Sequence, residues 1–138
     1  MTIVLGYDES PGAERALVTA IGLAAELREP LVLVYGAAAP GRLGEEFASH
    51  VEALEELGHK AMAHAVLRAE SHGVPTEFEL VRAKPADALV QVAETRGARL
   101  IVVGSYGETA LRGALLGSTP HRLLHLSHVP VLVVPPDA

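Results

Sequence analysis

The feature that most constrains this chain is a regular alternation of two kinds of segment. Short, β-branched, apolar runs alternate with longer segments whose apolar positions recur every three or four residues. All but the third short run are largely apolar throughout, which is typical of strands covered by helices on both faces of a parallel sheet. The third run alternates polar with apolar residues and predicts a half-covered strand near a sheet edge. The five predicted strands are Thr2–Tyr7, Pro30–Gly36, Thr76–Val81, Arg99–Gly104 and Val129–Val134.

The segments between the strands predict four helices. The order βαβαβαβαβ, with right-handed crossovers, predicts a doubly wound α/β fold. If the first three strands wind one way and the fourth lies on the other side of the first, the result is a five-stranded parallel sheet of order 3-2-1-4-5 with helices on both faces. The predicted helices are Pro11–Leu27, Arg42–His72, Pro85–Arg96 and Ser118–Ser127. The apolar face of the second is expected to contain Phe47, Val51, Leu54, Leu57, Met62, Ala65 and Leu67.

Length, charge and cysteine content narrow the class of protein. A chain of 138 residues has the size of one domain, so we predict a single domain over residues 1–138. The net charge is −6 and the eleven Lys and Arg residues are scattered, which argues against a nucleic-acid surface. There is no cysteine, so disulfides and thiolate metal sites are excluded. No apolar run approaches the ~20 residues of a membrane span, and we expect a soluble, cytoplasmic protein.

The stretch from Gly104 to Thr119 carries four glycines directly after the fourth strand. Ligands of open α/β sheets bind beyond the carboxyl ends of the strands, where the strand order reverses. In the predicted order, strands one and four are neighbours, so this loop faces the loop Gly6–Gly12. Glycines let backbone N–H groups approach an anion, and a helix that begins at Ser118 offers its positive end. The loop therefore predicts a phosphate cradle, although it matches neither the Walker pattern nor the dinucleotide pattern.

The glycine spacing resembles a known family pattern. Gly104-x-x-Gly107, nine residues, then Gly117-Ser118 is similar to the G-2x-G-9x-G-(S/T) pattern of ATP-binding members of the universal stress protein family. The blocks TIVLGYDESPGAERAL, KPADALVQVAE, GARLIVVGSYG and VPVLVVP lie where that family has its blocks, so the resemblance covers essentially the whole chain. It implies a five-stranded parallel sheet, usually dimeric, that binds ATP or a related adenine nucleotide such as AMP or cAMP.

Carried over to this chain, the resemblance implies a nucleotide site formed by three strand ends. The Gly117 N–H and the Ser118 hydroxyl would hold the phosphate chain, and Gly104 would lie against the ribose and phosphates. Asp8 would lie near the ribose or a phosphate-bound Mg²⁺, and the backbone of Tyr35 would meet the adenine edge. The predicted nucleotide-binding residues are Gly6, Tyr7, Asp8, Tyr35, Gly104, Gly107, Gly117, Ser118 and Thr119.

Each of these assignments has a structural alternative. The glycine loop also fits a long turn whose glycines supply positive φ angles. Asp8 also fits a role in capping the first helix together with Ser10. The ring of Tyr35 also fits simple packing beneath the loop that follows it. Arg112 fits either a phosphate partner or a solvated side chain.

Three positions depart from the family pattern. Ala83 stands where a glycine is common before the third helix, and Arg99 stands where an aspartate is usual. We expect these two changes to affect loop geometry and surface charge. Pro120 lies in the first turn of the last helix, which proline tolerates, and should leave the Ser118 N–H free.

The sequence offers little catalytic chemistry. Asp8 is the only acid that we can place in the cleft, so no acid–base pair is apparent. His121 and His125 are four residues apart on one predicted helix face, but without a third ligand a hydrated surface pair is the better interpretation. The leading hypothesis is therefore a nucleotide-binding signalling module. The alternatives are a stress protein that acts through protein–protein contacts with a vacant cleft, and a slow ATPase.

The fifth strand predicts a dimer. In the order 3-2-1-4-5 it lies at an edge, and its apolar run carries no charge that would prevent pairing. We expect it to pair with its symmetry mate in an isologous two-fold dimer, as the resemblance also implies. The alternative is a monomer whose edge is covered by Asp137, Ala138 or a helix end. The predicted contact residues are Val129, Val131, Leu132 and Val133.

Overall fold

The computed structural model describes residues 1–37, 45–105 and 117–136. Five strands and four helices alternate along these residues, and the strands form one parallel sheet of order β3-β2-β1-β4-β5. The predicted fold class and strand order are therefore confirmed. The predictions that concern the loop at 38–44, Gly107 and Arg112 lie outside the described residues. The elements are β1 (Thr2–Gly6), α1 (Pro11–Leu27), β2 (Leu31–Gly36), α2 (Glu45–Glu70), β3 (Thr76–Val81), α3 (Pro85–Arg96), β4 (Ala98–Gly104), α4 (Ser118–Leu126) and β5 (Val131–Val134).

The core consists of two apolar layers, one on each face of the sheet. On one face, Leu5 and Val102 pack against Leu17 of α1 and Met62 of α2. On the other face, Val4, Ile101 and Val103 pack against α3 and α4, whose buried residues include Leu89 and Leu123. The central strands are buried on both sides, as their continuous apolar runs predict.

Strand β3 is the half-covered edge strand that its alternating sequence predicts. Phe78 and Leu80 pack on the α1/α2 layer. Glu77 and Glu79 occupy the polar positions of the alternation. They accept hydrogen bonds from the guanidinium of Arg96, at the end of α3, at 2.6 and 2.9 Å. The charged positions of β3 are thus covered by ion pairs instead of apolar packing.

The apolar face of α2 differs from the prediction. Met62 and Ala65 are buried, but Leu57 and Leu67 are 63% and 70% exposed. Both leucines are five residues from Met62, which places them roughly 140° away around the helix. Ala61 and Ala69 complete the buried face at the spacing of three and four residues instead. Among the described side chains of α2, the buried face therefore combines Met62 with alanines. The predicted face residues Phe47, Val51 and Leu54 lie outside the described side chains.

Within the described residues, we find no helix with the length and the apolar character of a bilayer-spanning segment.

Candidate functional site

The candidate site lies at the carboxyl edge of the sheet. Strands β2, β1 and β4 are adjacent and parallel, so their last residues reach the same edge. This arrangement brings Tyr35, the segment Gly6–Asp8 and Gly104 to one side of the molecule. Helix α4 begins at Ser118. The hydrogen bond from the Gly117 N–H to the Ser105 carbonyl brings the N-terminus of α4 to the same edge. The strand order reverses between β1 and β4, at the position that the sequence predicts.

The turn after β1 is held by two side chains. Ser10 is the N-cap of α1, and its Oγ accepts a hydrogen bond from the Ala13 N–H at 3.2 Å. Asp8 Oδ1 accepts the Ser10 N–H at 3.0 Å, and Glu9 between them has the left-handed φ of 63°. The capping bond therefore comes from Ser10, whereas Asp8 braces the turn and keeps an exposed side chain at the strand tip.

Close packing explains two of the predicted site glycines. A Cβ atom on Gly104 would lie 2.7 Å from the carbonyl carbon and oxygen of Gly12 in α1. A Cβ atom on Gly6 would lie 3.0 Å from Leu89 Cδ1 and 3.3 Å from Val103 Cγ1. Gly104 thus allows the backbone of α1 to approach the backbone of the sheet. This close packing accounts for a glycine at position 104 whether or not a ligand binds there.

A third close approach involves a glycine that the sequence analysis did not assign to the site. A Cβ atom on Gly36 would lie 2.7 Å from Pro85 Cα and 2.9 Å from the Ala83 carbonyl oxygen. The end of β2 therefore contacts the start of α3. Ala83 is one of the departures from the family pattern, and its carbonyl oxygen takes part in this close contact.

Tyr7 contributes its backbone, and not its ring, to this edge. Its N–H donates to the Val34 carbonyl at 3.0 Å, and its side chain is buried in the α1/α2 layer. The hydroxyl donates to Glu14 Oε1, while Arg68 of α2 donates to Glu14 Oε2. The prediction that Tyr7 lines the cleft therefore applies only to its main chain.

The electrostatics of this Tyr7–Glu14–Arg68 cluster follow from burial and hydrogen bonding. Burial, then the hydrogen bond to Glu14, raises the pKa of the Tyr7 hydroxyl well above its usual range. Burial also acts to raise the pKa of Glu14, but the hydrogen bonds from Tyr7 and Arg68 outweigh it, so the pKa of this carboxyl is lowered. Glu14 is therefore a carboxylate at neutral pH that ties β1, α1 and α2 together.

Tyr35 lies in β2 with its ring against α2. The side chain is half-buried and packs on the α1/α2 layer. A Cβ atom on Gly58 would lie 3.4 Å from Tyr35 Cδ1, so the ring passes close to the helix backbone. This position fits the alternative in which the ring only packs, and it leaves a ligand role to the backbone.

The N-terminus of α4 has an unusual set of donors. The Gly117 N–H, which the resemblance assigns to the phosphates, donates to the Ser105 carbonyl at 2.6 Å. Gly117 is the N-cap and provides no side chain to cap the helix. Pro120 has no N–H, so the first turn offers the N–H groups of Ser118 and Thr119, which lack intrahelical acceptors. The two donors that the chain places at this helix end are thus Ser118 and Thr119.

Two further features of the sequence analysis concern Arg99 and the pair His121 and His125. Arg99, a departure from the family pattern, lies at the start of β4, at the opposite edge of the sheet, and donates to Glu29 at 2.9 Å. The rings of His121 and His125 lie 5.4 Å apart, edge to face. Within residues 1–37, 45–105 and 117–136, no group of three or more His, Cys, Asp or Glu side chains could hold a metal ion.

Comparison with known proteins identifies the family of this chain. The model of the universal stress protein family matches residues 1–135. The chain therefore belongs to the universal stress protein family.

Individual relatives agree with this assignment. A universal stress protein of Thermus aquaticus is 36% identical over 96% of this chain and 97% of its own length. One of Methanocaldococcus jannaschii is 41% identical over 60% of this chain, and that match spans 49% of the relative. A universal stress protein solved in complex with cAMP is 30% identical, with a TM-score of 0.73 over 99% of this chain and 98% of that one.

The site contains features that the sequence analysis missed. Gly12, Gly36 and the Glu14–Arg68 pair were not assigned to this region, and neither was the buried hydroxyl of Ser105. Ser105 directly follows Gly104 in the glycine pattern, which is the one signal that could have drawn attention to it. The other contacts join residues that are far apart in the chain and carry no local pattern.

Proposed function

We propose that this protein binds an adenine nucleotide at the carboxyl edge of strands β2, β1 and β4. The observation that carries the proposal is the N-terminus of α4, where the N–H groups of Ser118 and Thr119 lie outside the helical hydrogen-bond ladder. A helix N-terminus with free N–H groups favours a phosphate. The Ser118 side chain is exposed there, so its hydroxyl can reach the same ligand.

The remaining site residues have compatible positions. Asp8 has an exposed carboxylate at the tip of β1, and one oxygen already accepts the Ser10 N–H. We propose this residue for the ribose or for Mg²⁺ carried by the nucleotide, because a carboxylate accepts several bonds at once. Tyr35 is the penultimate residue of β2, on the other side of β1, and we propose its backbone for the adenine edge.

A relative supports the ligand class. The universal stress protein of similar fold that was solved with cAMP binds an adenine nucleotide that carries a phosphate. ATP, AMP and cAMP share the adenosine and phosphate groups to which the proposed site is directed. The role we propose is that of a module whose bound nucleotide is read by partner proteins, and a cytoplasmic location stays a prediction from the sequence.

Released-ligand analysis tests the proposal. Purified protein would be denatured, and the small molecules it releases would be measured by mass spectrometry. Calorimetric titration of nucleotide-free protein with ATP, AMP and cAMP would follow. We expect an adenine nucleotide in the first measurement and saturable binding in the second. Absence of binding for all three nucleotides would contradict the proposed function.

We also propose that β5 pairs with β5 of a second copy. The strand lies at the sheet edge, and Val131, Leu132 and Val133 are only half-buried within one chain. An uncharged edge strand of this kind pairs readily. Leu132→Lys combined with Val133→Pro is expected to convert a dimer to a monomer in sedimentation experiments. The control Leu124→Lys, at an exposed leucine on α4, should stay dimeric, and a monomeric unmodified protein would refute the pairing.

A further inference from the structure

His121 and His125 form a pair of exposed imidazoles on α4. Residues four apart on a helix lie on the same face, one turn from each other. The two ring centroids are 5.4 Å apart, and the ring planes meet at 61°. Of the seven histidines in the chain, only these two are four residues apart. The sequence alone favours a hydrated pair, and the measured ring separation now adds a geometric observation.

This separation fits two imidazoles that share one metal ion. A Zn–N bond is about 2.0–2.1 Å long and the ring centre lies roughly 1.2 Å beyond the nitrogen, so each ring centre lies roughly 3.2 Å from the ion. Two such rings at a tetrahedral angle have their centres about 5.2 Å apart. The 5.4 Å between His121 and His125 therefore requires no movement of α4. Because both side chains are exposed, each ring can turn about χ2 to direct a nitrogen at the ion.

The surroundings of the pair favour a cation. The guanidinium of Arg122, between the two histidines in the chain, donates to Asp87 of α3 at 3.3 Å, so its charge is held by a carboxylate of another helix. His125 is in the last turn of α4, where the helix dipole stabilises positive charge. The chain also carries a net charge of −6, which attracts cations to its surface.

We propose that His121 and His125 together chelate one divalent transition-metal ion of the class that prefers imidazole ligands, such as Zn²⁺, Ni²⁺ or Cu²⁺. Two ring nitrogens occupy two coordination positions and water fills the others, so the ion exchanges more readily than one held by four protein ligands. The bound ion links successive turns of α4 and stabilises this helix. Mg²⁺ and Ca²⁺ prefer oxygen ligands and do not bind here. This metal site does not depend on the proposed nucleotide site.

Calorimetric titration of nucleotide-free protein with Zn²⁺, and in parallel with Mg²⁺, tests the proposal. We expect one Zn²⁺ per chain at the tightest site and no binding of Mg²⁺. His121→Ala and His125→Ala should each weaken the binding of Zn²⁺ at least about tenfold, because the second imidazole no longer acts at the high effective concentration that the helix gives it. Alanine favours helices, so both variants should fold, with a metal-free urea midpoint that is unchanged or raised.

Urea denaturation with and without Zn²⁺ distinguishes chelation by the folded helix from binding to single histidines. Only the folded helix holds the two rings at the chelating distance. At a free Zn²⁺ concentration about a hundred times the measured dissociation constant, the equilibrium constant for folding should therefore rise about a hundredfold. Neither His121→Ala nor His125→Ala should show this rise at the same Zn²⁺ concentration.

The control is His72→Ala, at an exposed histidine after α2 whose Nδ1 lies 2.9 Å from the Arg68 carbonyl oxygen. This variant should keep the Zn²⁺ affinity of the unmodified protein. Unchanged Zn²⁺ affinity in His121→Ala or His125→Ala would overturn the proposal, and so would equal binding of Mg²⁺. A folding equilibrium that did not respond to Zn²⁺ would overturn it as well. Each of these outcomes leaves the proposed nucleotide site standing, because all the measurements use nucleotide-free protein.

Discussion

Gly104 and Gly12 meet backbone to backbone, 92 positions apart in the chain. A Cβ atom on Gly104 would lie 2.7 Å from the Gly12 carbonyl carbon and oxygen. No rotamer change can relieve such a contact, because both atoms belong to the main chain of α1. The end of β4 and the start of α1 are therefore fixed relative to each other at the candidate site.

Replacement of Gly104 by alanine should displace α1 from the sheet. We expect Gly104→Ala to lower the free energy of unfolding by about 1–3 kcal/mol, the usual cost of overpacking. Urea denaturation measures this value. The control is Gly22→Ala in the same helix, where a Cβ atom would meet nothing within 4 Å. It should raise the free energy of unfolding by about 0.5–1 kcal/mol; equal effects of the two changes would contradict the close contact.

Removal of the Tyr7 hydroxyl should weaken the Tyr7–Glu14–Arg68 cluster. Tyr7→Phe keeps the buried ring and deletes one donor to Glu14, so we expect a loss of about 1 kcal/mol in the free energy of unfolding. Ser71→Ala removes an exposed hydroxyl near the end of α2 and should change this value by about 0.5 kcal/mol or less. A Tyr7→Phe protein as stable as the unmodified one would show that the hydroxyl contributes nothing net.

The lowered pKa of Glu14 predicts a specific pH dependence. A carboxyl whose pKa is lower in the folded state stabilises the protein above its unfolded-state pKa, about 4.3 for glutamate, and this contribution is lost as the pH falls toward the folded-state value. The free energy of unfolding should therefore decrease below about pH 5. In Glu14→Gln this decrease should be smaller, so its difference from the unmodified protein should shrink as the solution becomes acidic.

Urea titrations at several pH values measure this difference. Glu26→Gln, near the other end of α1 and exposed, controls for the loss of one surface carboxylate. A difference between Glu14→Gln and unmodified protein that stayed constant from neutral to acid pH would refute the linkage.

A branched side chain at Gly117 should block the N-terminus of α4. Gly117 has φ −68° and ψ 170°, which any residue adopts, and its N–H can still donate to Ser105. Gly117→Val is therefore expected to fold with an unchanged urea midpoint. The valine methyl groups would occupy the space next to the Ser118 and Thr119 N–H groups, so nucleotide binding should be lost. Calorimetry that gave unchanged ATP affinity would remove this helix end from the site.

The site as described predicts a binder without fast turnover. Asp8 is the acid that the turn after β1 brings to the edge, and its Oδ1 already accepts the Ser10 N–H. ATP incubated with the protein and Mg²⁺ should therefore persist for many protein equivalents over about an hour, far below ordinary turnover of ~1–10³ s⁻¹. Phosphate release within that range would reveal a catalytic residue that we have not identified.

Local patterns were sufficient for the architecture. The apolar runs of β1, β2, β4 and β5, the alternation in β3 and the Ser10 cap of α1 each follow from residues that are neighbours in the chain, because strand and helix periodicities and caps are local properties. The strand order needs the further assumption that the fourth strand lies on the other side of the first, because right-handed crossovers alone do not fix it. The same strand order places the ends of β1 and β4 side by side, and a ligand at that edge stays a prediction.

Contacts between distant residues could not be predicted in this way. The predicted strand order placed the segment at Gly104 opposite the loop Gly6–Gly12, but not the backbone contact between Gly104 and Gly12. Nothing near Tyr7 indicates that its ring turns inward to Glu14 and Arg68. The burial of Ser105 likewise depends on which groups surround it after folding. Such features arise from the packing of whole elements, and packing sums interactions over the entire chain, so no local pattern encodes it.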